Sequence, residues 1–82
     1  MERYAHRVQT LLVHLDGLLP PAAVSQAQHL LDHGEPSAGV EGLAWAVVGQ
    51  ARPLPAVLVD EVRALVLDEA DLPPDLDDHR RL

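Results

Sequence analysis

Any chemistry in this 82-residue chain must come from five histidines, thirteen carboxylates and three aliphatic hydroxyls, because it has no cysteine. His29 and His33 lie four apart, a spacing that puts two imidazoles on one helix face, where they can share a zinc ion. The zincin arrangement also needs a glutamate directly after the first histidine. Here Leu30, Leu31 and Asp32 intervene. His6 and His14 are isolated and bring no third ligand. The expectation is two solvated histidines at a helix end, with no metal and no cofactor.

Nucleophiles are scarce. Neither Ser25 nor Ser37 lies in a G-x-S-x-G turn, Thr10 stands alone, and there is no glycine-rich phosphate loop. Ser37 follows Pro36 at a helix start, where a hydroxyl serves the local backbone. Carboxylate pairs occur at Asp60-Glu61 and Asp68-Glu69. General acid–base work needs two carboxyls in different environments, one of them buried to raise its pKa. Both pairs flank an apolar helical stripe, so both are expected to face water, as a solvated acidic face or a docking surface for a cationic partner. The chain is not expected to be an enzyme.

The elements that would position these groups are helices. The apolar fraction is 48%, supplied almost entirely by Ala, Val and Leu, with no Phe and one Trp. That mixture favours helix over strand and is too apolar for a disordered chain. Tyr4, Val8, Leu11, Leu12 and Leu15 make one buried stripe, predicting a first helix over residues 2–16 that Gly17 and Pro20-Pro21 end. A second runs from Pro21 to His33 on Val24, Ala27, Leu30 and Leu31, with Gly34 just past its end.

A third, from Pro36 to about Ala51, carries Val40, Leu43, Ala44, Val47 and Val48. Its other side is small, with Gly39, Gly42, Ala46 and Gly49, and this helix is expected at the centre. Interior glycines cost about 1 kcal/mol each relative to Ala, which points to close backbone approach or a self-association surface. Arg52-Pro53-Leu54-Pro55 is a linker to a fourth helix, Pro55 to Glu69, striped by Leu58, Val62, Leu65 and Val66. The fold class is thus all-α: one domain over residues 1–70, a compact bundle of about four short helices, followed by an acidic, proline-containing tail over 71–82. Trp45 lies off the centre of its helix's stripe. Core packing is the ordinary fate of a lone Trp in a small domain, and an exposed interface anchor is the other reading. Leu67, beside the fourth stripe, shares that ambiguity.

The formal charge of −7 is concentrated. Asp60, Glu61, Asp68, Glu69, Asp71, Asp75, Asp77 and Asp78 face only Arg63 between residues 60 and 79, while the rest of the chain balances. Such a field repels nucleic acid and anionic lipid and attracts a basic protein. No segment approaches the ~20 apolar residues of a membrane span. The polar start, Met1 to Arg7, lacks the pattern of a signal peptide, so a soluble, cytoplasmic protein is expected.

The run His29-Leu30-Leu31-Asp32-His33-Gly34-Glu35-Pro36 leads into Ala38, Glu41, Gly42, Leu43, Ala44 and Val47, then Leu54-Pro55 and an apolar helix from Val59 to Leu67. Over residues 22–68 this resembles the small immunity proteins of bacterial polymorphic toxin systems, especially the MafI type. In those, a helix ending near Gly-Glu precedes an Ala/Leu-rich helix, a proline-containing loop and a closing helix. The glycines of the third helix and the acidic, proline-rich end depart from that pattern. The resemblance implies a cytoplasmic protein that binds one toxin domain and blocks it, with no catalytic residues.

Together these readings place a basic partner on the acids from Asp60 to Asp78, with Asp32, Glu35 and Glu41 as a second contact and Trp45 as the apolar anchor. The alternative is a homo-oligomeric structural or adaptor module, a homodimer for example, using the glycine face.

Overall fold

The computed structural model describes residues 2–50 and 53–67 together with Pro73 and Leu76. Among the described residues the fold is all-α, with four helices: α1 (Glu2–Leu15), α2 (Pro21–Asp32), α3 (Pro36–Val48) and α4 (Ala56–Leu65). The radius of gyration is 11.4 Å, close to the roughly 12 Å expected of a folded chain of this length.

The helix starts follow proline chemistry. Pro21 and Pro36 occupy first-turn positions of α2 and α3, where their missing N–H groups would have no partner anyway. Gly34, at φ +80°, ends α2. The Glu35 N–H donates to the Leu30 carbonyl (2.8 Å) and the Gly34 N–H to that of Leu31 (3.1 Å), the two bonds of a Schellman cap.

Val8, Leu11, Leu12 and Leu15 of α1 are buried and Tyr4 packs against them, so the expected α1 stripe is the real one. α3 contributes Gly39, Val40, Leu43, Ala44 and Val47 and packs on each of the other three helices, as a central helix should. α2 and α4 flank α1 and α3. The α2–α3 packing is the most extensive, and a Cβ added at Gly39 would lie 3.1 Å from the Ala27 carbonyl oxygen. That close approach explains one of the small residues on α3.

Five expectations need correction. α3 stops at Val48 rather than Ala51, where the Gly49 N–H closes the last turn and the Gln50 side-chain amide donates to the Ala46 carbonyl (3.3 Å). α4 spans Ala56–Leu65 rather than 55–69, because Val66 turns extended (φ −71°, ψ 123°). The buried face of α4 is centred on Val59, Val62 and Leu65, with Leu58 and Val66 only partly covered. The glycine face of α3 is not one surface: Gly39 is buried against α2, whereas Gly42 is exposed and a Cβ there would meet nothing within 4 Å. The core also reaches past residue 70, since Leu76 is only 1% exposed and its N–H donates to the Pro73 carbonyl (3.1 Å).

Candidate functional site

Every buried side chain among the described residues is apolar. Polar and charged groups, including all the candidate docking acids among them, sit at the surface or partly covered. Among the described residues no three His, Cys, Asp or Glu side chains converge as a metal centre would.

Trp45 is the outstanding surface feature. It is 57% exposed, which overturns the core reading and leaves the anchor reading. The physical reason lies in the helix wheel. Val40, Leu43, Ala44 and Val47 take the inner arc of α3, and Trp45 falls outside it. Gly42 and Gly49, one turn either side of Trp45, are also exposed and put no side chain over its flanks. Leu67 resolves in the same direction at 72% exposed.

The acids differ from one another in what they touch. Asp60 and Glu35 are exposed. Glu61 is engaged by Arg7 of α1 in a fork, Nε to Oε2 at 3.2 Å and Nη2 to Oε1 at 3.0 Å. Asp32 accepts from Gln28 (2.9 Å), whose amide exchanges two hydrogen bonds with that of Gln9 (3.0 and 2.8 Å). Glu61 therefore also ties α4 to α1, whereas Asp32 bonds within α2, next to the Gln9–Gln28 pair that joins α2 to α1. Glu41 is partly covered, and with burial as the larger cause its charge helps push the Tyr4 phenol above its ordinary value of 10.0, against the opposing pull of Arg7. Asp68, Glu69, Asp71, Asp75, Asp77 and Asp78 lie outside the described residues.

Two features were not foreseen from sequence. Tyr4 Oη donates to the Leu65 carbonyl at 2.6 Å, satisfying one of the carbonyls that a helix C-terminus leaves without an internal partner. A groove of about 330 Å³ runs between α1 and α4, floored by Leu11 and Leu58, walled by exposed Val57 and rimmed by His6, Thr10, His14 and the Arg7–Glu61 pair. Its sequence trace is the i, i+4, i+8 run of His6, Thr10 and His14 along one side of α1.

No protein-family model, curated protein or solved structure matches this chain.

Proposed function

We propose that this chain is a non-catalytic immunity protein that binds a cognate bacterial toxin domain and occludes its active or substrate-binding cleft. The exposure of Trp45 carries the reading. Burying an aromatic side chain of this size stabilises a fold by roughly 2–3 kcal/mol, and the core here has no Phe and only Val, Leu and Ala to fill it. A fold that leaves its largest apolar side chain at the surface forgoes that stabilisation, and such residues dominate protein interfaces.

The charge supports a basic partner. A domain that acts on nucleic acid presents a cationic cleft, and a concentrated field of −7 speeds association with it and competes with its substrate. Trp45 is the apolar anchor and the acids from Asp60 to Asp78 supply the steering charge, with Asp32, Glu35 and Glu41 as a second contact. The non-catalytic part rests on the absence of a fully buried carboxylate among the described residues and on the scarcity of nucleophiles. Among the described residues no helix is long and apolar enough to cross a membrane. The proposed compartment is the cytoplasm, where a toxin-producing cell needs protection.

The test is co-expression with the product of the neighbouring upstream gene. That product alone should arrest growth, the pair should grow, and Trp45→Ala should lose protection while keeping its helical circular dichroism. Equal protection by Trp45→Ala would remove the anchor from the account. A homo-oligomeric module is the second reading, favoured by the exposure of Val13 and Val57 as well as of Trp45 and Leu67. Its proposed glycine surface is weakened by the burial of Gly39.

A further inference from the structure

We propose that His29 and His33 form a two-imidazole chelate for a borderline divalent transition metal, Cu²⁺ most tightly and Ni²⁺ or Zn²⁺ less so. This site is separate from Trp45 and does not rest on the toxin-binding reading. Spacing alone makes the two residues neighbours. The structure adds a fixed backbone, a defined tautomer and a suitable separation.

The backbone of His33 is held by the Schellman cap, with Gly34 at φ +80° and the Glu35 N–H on the Leu30 carbonyl. Its ring is held as well. His33 Nδ1 lies 2.8 Å from the His29 carbonyl oxygen, and a carbonyl can only accept. Nδ1 therefore carries the proton, and the neutral ring keeps its lone pair on Nε2, the atom a metal takes. A backbone carbonyl on the other ring nitrogen is also the usual second partner of a metal-binding histidine.

The two ring centres are 4.1 Å apart and tilted by 41°. An ion bound at about 2.0–2.1 Å to each of two imidazoles holds their nitrogens roughly 3–3.5 Å apart, which rings at this separation can reach. Both side chains are exposed, so an ion has free access. The pair sits at the C-terminus of α2, where the carbonyl ends of the peptide dipoles favour a cation. Asp32 and Glu35 are sequence neighbours, and no Arg or Lys occurs between Arg7 and Arg52. The remaining coordination positions fall to water or to donor atoms of another molecule. Imidazole ligands and the general order of divalent affinities put Cu²⁺ first.

The test is isothermal titration of the tag-free full chain with CuCl₂ in a non-coordinating buffer, repeated with NiCl₂ and ZnCl₂. One equivalent should bind. His29→Ala and His33→Ala should each weaken binding by about tenfold or more, because either change leaves a single imidazole without the chelate. The double variant should fall little further, and His6→Ala, His14→Ala and His79→Ala should bind as the parent does. Circular dichroism checks that each variant folds. If His29→Ala and His33→Ala stay within about twofold of the parent, or if His6→Ala loses as much as they do, the site holds an adventitious ion only and the proposal falls.

Discussion

Single atoms set the behaviour of several positions here, and the two α3 glycines show it best. Gly39 faces the Ala27 carbonyl at a distance no added methyl tolerates without movement, whereas the space at Gly42 is open. Gly39→Ala requires the Ala27 backbone to give by a few tenths of an ångström, so it should be less favourable than the same change at Gly42. Gly42→Ala should stabilise the fold by about 0.5–1 kcal/mol through helix propensity alone. Urea midpoints of the two variants check this, and a Gly39→Ala midpoint as high as that of Gly42→Ala would contradict it. Tyr4 is a second such position. Tyr4→Phe should cost about 1 kcal/mol by leaving the Leu65 carbonyl without its phenol. The phenol titrates above 10.0 in the folded chain, so between that value and the folded one the native state binds more protons than the unfolded. Stability is then intact below pH 10 and falls as pH rises beyond it. In Tyr4→Phe that alkaline loss should be smaller, and an unchanged alkaline slope would remove Tyr4 as its source.

At the level of helices, legibility tracked amphipathicity. The α1 stripe from Tyr4 to Leu15 is readable because polar residues surround it, leaving one face to bury. α3 is apolar nearly all round; the stripe read from its spacing, with Val40, Leu43, Ala44 and Val47, is the buried one, but the fate of Trp45 beside it could be settled only by packing. The end of α4 was hidden for another reason. Val66-Leu67-Asp68-Glu69 suits a helix locally, yet the chain turns extended at Val66 and the core takes Leu76. Tertiary burial overrides propensity there, and no local pattern announces it. Leu76→Ala should accordingly cost about 2–4 kcal/mol, the range for a large-to-small change in a packed core. A denaturation midpoint equal to that of the parent would contradict the burial. Truncation after Asp71 removes Leu76 as well as acids, so it tests the fold together with the charge.

For the molecule as a whole, charge and exposed surface matter more than any one contact. The acids were legible as a block in the sequence, but not their attachments. Glu61 is forked by Arg7, a surface pair worth at most about 1 kcal/mol, and Asp32 belongs to the Gln9–Gln28 network. Long-range steering depends on net charge, so such attachments leave it intact. Changing Asp60, Glu61, Asp68 and Glu69 to amides should slow association with a basic toxin domain and flatten its salt dependence, with a smaller effect on dissociation. Association kinetics at two ionic strengths check this, and an unchanged rate and salt slope would remove steering from the account. The central claim, that this chain exists to bind and block another protein, is tested most directly by native mass spectrometry of the chain co-purified with the product of its upstream gene. The account predicts a stoichiometric complex of the two in which the toxic activity is silent. The chain emerging alone as a defined homo-oligomer, with the upstream product still active beside it, would contradict it.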